Sequence, residues 1–283
     1  MLYEYETIRC AVDGPVFTAK IDNPPANVMT GKLYFELVNL TKQLEEDDAI
    51  KVVIFDSADP DFFIAHFDVE ALIRVPTDSA AERGHEPTDF HAMCRRVATM
   101  SKATIVKMLG RAGGGGNEFA SNFDMRFGIR GRTLVNQMEV ALGILPGGTG
   151  TQTLPQLVGR NRALEIILGC DDIDAETLAD WGYLNRVFDS DDALDAFVDR
   201  LATRIAHWPA EAISLAKASV NAGSTVPEAQ LIEEAFLFQQ SLRTTGAQRN
   251  MREAMARGAQ TREGERRIAD LCEEVGHATD EDR

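Results

Sequence analysis

Gly110-Arg111-Ala112-Gly113-Gly114-Gly115-Gly116-Asn117-Glu118-Phe119 is the stretch whose reading decides the fold. Its four consecutive glycines lie between Thr104-Ile105-Val106-Lys107-Met108, a short apolar strand by pattern, and a segment that reads as a helix. Glycine loses more backbone entropy on folding than any other residue, so four in a row are costly. Such a turn exists where a ligand or another chain segment lies against the backbone. At a helix N-terminus its free N–H groups also point outward, where they bind an anion or an oxyanion. An isolated glycine run is about as often a tight turn with no ligand. Two nucleotide readings fail: no Lys-Ser or Lys-Thr follows these glycines, and no G-x-G-x-x-G opens a complete Rossmann unit.

Working outward, Thr7 to Val12 and Val16 to Ile21 read as a hairpin around Asp13-Gly14-Pro15. After the turn Asn23-Pro24-Pro25, residues Leu33, Leu37, Leu40 and Leu44 recur at helical spacing and predict one buried stripe. Lys51 to Phe55 is a buried strand by pattern. Val75 to Thr88, rich in Pro, Gly and charge, reads as a mobile insertion, and Asp89 to Ser101 as a helix. Beyond the glycines come a strand near Asp124 to Ile129 and a Gly- and Pro-rich loop from Leu142 to Gly150. From about Ser190 the pattern is almost wholly helical. Asp191-Asp192 is an acidic helix start, and further helices follow at Ala210 to Ala222 and Pro227 to Leu242. This predicts an α/β core over residues 1–200 and a helical C-terminal region over 201–283, without an internal sequence repeat.

The 283 residues carry 29 Lys or Arg against 45 Asp or Glu, a formal net charge of −16. That balance argues against nucleic acid and anionic membranes as partners, although a local basic pocket can still hold a small anion. Cys10, Cys94, Cys170 and Cys272 are scattered and form no CxxC pair, so no disulfide framework is expected. The acidic start MLYEYETIRC is unlike a signal peptide, and no apolar run approaches the roughly 20 residues of a membrane span. The expectation is a cytoplasmic protein.

The glycine stretch resembles the N-G-x-A-x-G-G-G-x-E signature of the enoyl-CoA hydratase/isomerase (crotonase) family. Gln137-Met138-Glu139-Val140, followed by Gly143-Ile144-Leu145-Pro146-Gly147-Gly148-Thr149-Gly150-Thr151-Gln152, is similar to its Q-P-E…G-x-x-P-G…G-T-Q. Phe63-Ile64-Ala65-His66-Phe67-Asp68 stands where the family has F-x-A-G-x-D. All three blocks agree in order and spacing, over about residues 5 to 250.

The resemblance implies a core of repeated β-β-α units and an acyl-CoA thioester substrate, with coenzyme A part of the substrate and no separate cofactor or metal. It implies an oxyanion hole from the main-chain amides of Phe67 and Gly115, and two catalytic glutamates, Glu118 as base and Glu139 as proton donor. Ala65, His66, Asp68, Gly114 and Arg111 fall in the substrate-binding blocks. Reversible hydration of a 2-enoyl-CoA is the leading reaction. Double-bond isomerisation, hydrolysis or decarboxylation on the same fold, and a non-catalytic acyl-CoA-binding scaffold, are the alternatives. A homotrimer or dimer of trimers is expected, with the C-terminal helices at the contacts.

Some positions depart from the pattern. His66 replaces Gly, so the loop is strained if that residue needs φ > 0; a packed or solvent-facing imidazole is the plainer reading. Leu109 replaces Asn and Met138 replaces Pro. Pro24-Pro25-Ala26-Asn27 lacks the family's basic residue for the CoA phosphates, and Ala254 to Gly258 keeps its late Phe-and-charge pattern poorly. Arg111, Lys32, Arg95 and Arg96 are candidates for a basic cradle. His85, Glu86, Asp89 and His91 lack a metal-ligand spacing, and no G-x-S-x-G occurs. Thr261 to Arg267 reads as a solvated helix or tail, and Phe236, Leu237 and Phe238 as packing residues.

Overall fold

Three successive strand pairs in this chain split between two sheets, and that division positions the site. In the computed structural model, which describes residues 2–278, the larger sheet contains β1 (Ile8–Asp13), β2 (Val16–Ile21), β3 (Val52–Ser57), β5 (Ala103–Met108), β7 (Met125–Ile129) and β10 (Arg186–Phe188) in that spatial order. The smaller contains β4 (Phe62–Ile64), β6 (Arg111–Gly113), β8 (Leu134–Asn136) and β9 (Ile173–Asp174). Successive pairs β3/β4, β5/β6 and β7/β8 therefore each give one strand to each sheet. Pairing from β2 through β10 is parallel; only the β1–β2 hairpin and β8–β9 are antiparallel. The β-β-α repeat is thus geometric, with no matching repeat in the residues.

The helices fill the spaces between and around the sheets: α1 (Gly31–Glu46), α2 (Val69–Ile73), α3 (Asp89–Thr99), α4 (Gly114–Ala120), α5 (Gly150–Val158), α6 (Arg160–Gly169) and α7 (Ala175–Asp180). They continue as α8 (Asp191–Ala206), α9 (Ala210–Asn221), α10 (Glu228–Leu242), α11 (Thr245–Ala256), α12 (Arg262–Arg266) and α13 (Ile268–Ala278). Thr30 caps α1, and the stripe Leu33, Leu37, Leu40 and Leu44 is fully buried. The opposite face of the larger sheet is covered by Leu194, Val198 and Ala202 of α8, packed on Val52, Ile54, Ile105 and Phe127. Residue 200 falls inside α8, so the helical layer starts at Asp191 rather than at 201.

The C-terminal helices turn back on their own chain. Leu242, Met251, Leu271 and Val275 form a second core with Val69 of α2 and with Met138, Leu142 and Ile144. The 75–88 segment also lies against them: Arg83 pairs with Glu233 and sits 4.4 Å over the Phe236 ring, and Arg243 donates to the Ser79 carbonyl. Thr261 to Arg267 is not a solvated tail. It forms α12, with Glu265 fully buried and Arg262 bound to Asp59 and Asp61, because the buried His66 on the core supplies a partner for its carboxylate.

The glycine run holds α4 against β4. A Cβ on Gly116 would overlap the Ile64 carbonyl and come within 2.9 Å of the Ile64 Cβ, whereas one on Gly169, at the end of α6, would meet nothing within 4 Å. Gly116→Ala is therefore expected to cost about 3 kcal/mol or more, and Gly169→Ala to stay within about 1 kcal/mol of the parent. Denaturant titration of both variants measures the difference; equal stabilities would contradict the close approach.

Candidate active site

Glu118 is the fifth residue of α4, which starts directly at the end of β6. Its side chain, 4% exposed, points to the start of α5, where Oε1 accepts hydrogen bonds from the Gly148 and Gly150 amides at 2.7 and 2.8 Å. The intervening amides serve another carboxylate. Glu234 of α10 accepts from Thr149 N at 2.8 Å and Thr151 N at 2.9 Å, from the Thr151 hydroxyl, and from His91 Nε2 at 2.9 Å. Four successive N–H groups at one helix N-terminus are thus divided alternately between two buried acids. This is where a helix best holds negative charge.

Glu139 follows β8 and lies over the first residue of α4. A Cβ on Gly114 would stand 2.7 Å from its Oε1, and Gly114 has φ +43°, so glycine is required there twice over. Glu139 Oε2 is buried without a hydrogen-bond partner among the described residues. Burial pushes the Glu139 carboxyl up to about 7; the Glu234 charge adds to this, while its own backbone amide and the His66 ring oppose it. Burial also drives Glu118 well above the usual carboxylate range, followed by the charges of Glu139 and Glu234, with the Gly150 and Gly148 amides pulling it back. Two such carboxyls do not both ionise readily, so the pair holds one proton near neutral pH. The two amide bonds to Glu118 Oε1 favour the negative charge on that side.

Beside the carboxyls, two main-chain amides converge. A parallel bridge joins Met29 to Phe67 through the His66 carbonyl and the Asp68 amide, which leaves the Phe67 amide directed away from Met29. Gly115 is the second residue of α4, so its amide lacks an intrahelical acceptor. A Cβ on Gly115 would lie 3.4 Å from Phe67 N. Rings of Tyr34, Phe67 and Phe90 border this place, with centroids 5.8 to 6.3 Å apart, and Phe90 and Glu118 Oε2 both crowd Gly148.

The remaining sequence-predicted residues separate. Ala65 is buried beside Gly113, and Asp68 caps α2 by accepting from Ala71 N. His66 is 2% exposed and is absent from the left-handed region, so the loop carries no φ strain. Arg111 turns inward. It is 4% exposed, paired with Asp172 and donating to the Arg266 carbonyl, on a strand whose three residues are all buried. Lys32, Arg95 and Arg96 are engaged by Glu6, Glu228 and Glu45. Sequence reasoning missed Glu234 and Glu265. Leu231, Glu234, Phe238 and Leu242 recur at helical spacing, and the one acid in that stripe was the available signal. His91 is no ligand candidate: it is fully buried between Thr88 and Glu234, and the described residues contain no group of three or more His, Cys, Asp or Glu able to hold a metal ion. No helix among them is long and apolar enough to cross a membrane.

Known proteins resemble this chain in sequence and fold. The family model for enoyl-CoA hydratase/isomerase matches residues 12–265. Over 222 residues the chain is 29% identical to the 1,2-epoxyphenylacetyl-CoA isomerase of Escherichia coli K12, covering 78% of this chain and 84% of that one. It is also 29% identical to the crotonyl-CoA hydratase of Syntrophomonas wolfei over 220 residues, 77% and 83% of the two chains. The crystal structure of a provisionally assigned enoyl-CoA hydratase from Streptomyces avermitilis superposes with a TM-score of 0.88 at 36% identity, over 97% of this chain and all of that one.

A carboxyl whose value rises on folding favours the protonated form, so the native state loses stability as pH climbs from 4.5 through about 7. For Glu139 the loss is on the order of 3 kcal/mol above that range. Glu139→Gln is expected to melt several degrees above the parent at pH 8 and to lose most of that advantage at pH 5. Calorimetric scans at both pH values check this, and a variant equally or less stable at pH 8 would contradict the buried charge.

Proposed function

The chain belongs to the enoyl-CoA hydratase/isomerase family, and on that premise we propose that it adds water reversibly to the double bond of a 2-enoyl-CoA thioester. The observation that carries this reading is the pair of buried carboxyls, Glu118 and Glu139, beside the converging amides of Phe67 and Gly115. The thioester oxygen takes hydrogen bonds from those amides. As oxygen adds to Cβ, electrons of the double bond move onto the thioester oxygen, and fixed main-chain donors favour this enolate over the neutral carbonyl. Because the donors are main-chain groups, the Phe67 side chain is free to join Tyr34 and Phe90 along the acyl group.

Glu118, its anion held by two amides, takes a proton from the attacking water, while protonated Glu139 delivers one to Cα. The pair holds one proton before and after the step, and one water is added across the double bond. Ala65, His66, Asp68 and Gly114 contribute backbone to the strip under the thioester. Coenzyme A enters with the substrate, and the reading calls on no other cofactor. The similar proteins include both a hydratase and an isomerase by name. Moving a double bond needs one acid–base group, whereas two converge here, which favours hydration.

Loss of the conjugated enoyl-thioester absorbance, followed with crotonyl-CoA and with longer and aromatic 2-enoyl-CoAs, tests the reading. Turnover is expected with at least one. Binding by calorimetry without turnover of any would instead make the chain an acyl-CoA-binding protein. Glu118→Gln and Glu139→Gln should each slow hydration by about 10²- to 10⁴-fold; unchanged rates would remove their roles. Trimers or pairs of trimers belong to the same proposal. None of the α9 residues is buried within one chain, and Leu215 and Val220 are 63% and 72% exposed. Light scattering that finds a monomer would contradict assembly.

A further inference from the structure

His66 is the one residue of the strip under the proposed thioester that carries an ionisable ring, and it is shut off from water. Its Nδ1 lies 2.7 Å from the Phe67 carbonyl and its Nε2 2.9 Å from Glu265 Oε1. A carbonyl only accepts, so Nδ1 carries a hydrogen. Against the cost of its burial, the His66 ring, the Gln260 amide at 2.6 Å and Arg111 hold Glu265 below the usual carboxylate range; its anion accepts from Nε2, and the ring is an imidazolium. Gln260 closes the clasp by accepting from Val69 N at 2.7 Å. On its other side, His66 Cβ is 3.3 Å from the place of a Gly114 Cβ, which is itself 2.7 Å from Glu139 Oε1.

We propose that the buried His66–Glu265 ion pair is a positioning element for Glu139: it fixes the charge beside that carboxyl and makes the acid–base step depend on α12. The inference rests on the hydration reading only for its kinetic consequence. Glu118 of α4 and Glu234 of α10 also face Glu139 and push its proton affinity up; among the charged neighbours the imidazolium opposes them. Arg111 of β6, paired with Asp172, faces Glu265 and favours its anion. The Cys170 and Cys272 thiols nearby are raised by burial and stay neutral. Together with its own backbone amide, this one cation offsets the burial of Glu139 and keeps its carboxyl at about 7, where it gives and takes a proton with equal ease. Nothing in His66 touches the reacting atoms, so it is a positioning residue.

The test compares the parent with Glu265→Gln and with the double variant His66→Gln/Glu265→Gln, which leaves no unpaired buried charge. In the ligand-free parent, the His66 ring resonances are expected to stay those of an imidazolium until about pH 9, and to titrate well below that in Glu265→Gln. The carboxyl carbon of Glu139, followed by isotope-edited NMR, is expected to titrate near 7 in the parent and about one pH unit higher in both variants. In hydration assays the alkaline limb of kcat/KM should move upward by the same amount. A neutral His66 at pH 7 in the parent, or an unmoved Glu139 titration in the variants, overturns the proposal. A lower rate with an unmoved limb, meaning a merely structural pair, overturns it too. Shifted resonances in a protein that hydrates no enoyl-CoA would uphold the pair and refute the hydration reading.

Discussion

The site depends on how closely two stretches of backbone lie together. The turn from β6 into α4 can rest on the strand end at Ile64 to Phe67 only if nothing projects from Gly116 into the Ile64 carbonyl. That contact sets the Gly115 and Phe67 amides side by side, fixes the direction of α4, and so aims Glu118 at the start of α5. On the proposed reading the donors at this site are the main chain itself, and a costly run of glycine is what lets them approach. Side-chain donors would add rotamer freedom that has to be frozen at each turnover, whereas amides on a strand end and a helix start are already oriented.

Three carboxyls are then buried within the reach of one another, which needs compensation. The start of α5 supplies most of it. Glu118 and Glu234 take alternate amides from Gly148 to Thr151, and His91 adds a donor to Glu234. Glu139 receives no such donor at Oε2. The asymmetry separates the two carboxyls of the proposed acid–base pair: the same burial acts on both, but Glu118 accepts from two amides at the start of α5, whereas Glu139 has only its own backbone amide. Distinct roles follow from hydrogen bonding rather than from any difference in residue type.

Much of this was legible in the residues. The leucine stripe of α1, the hairpin, the strands at 52–57, 103–108 and 125–129, and the late helices follow from local periodicity, which a side chain's neighbours in sequence report directly. The short strands β4, β6, β8 and β9 were not legible, because two or three residues are too few to show a period. The β-β-α repeat was hidden for a related reason: it resides in how pairs of strands part between the sheets, and the residues that accomplish the parting differ from unit to unit. Glu118 and Glu139 stood inside recognisable blocks. Arg111 stood in the same block, yet its side chain turns inward to Asp172, since a position in a motif does not specify the direction of a strand residue.

Glu234 and Glu265 show the harder limit. Glu234 adjoins another acid, Glu233, and Glu265 lies in the highly charged α12, and an acid among 45 is ordinarily a solvated one. What makes them different is 143 and 199 residues away in the chain, in His91 and His66. An ion pair of that sequence separation leaves no local pattern, and only the folded chain brings its halves together. The net charge of −16 is therefore a poor guide to the field at the site. The proposed reacting groups come from the α/β core, while Glu234 of α10 acts on them directly and Glu265 of α12 pairs with the His66 ring beside them, so the C-terminal helices are part of the electrostatic environment in which the chemistry is proposed to occur.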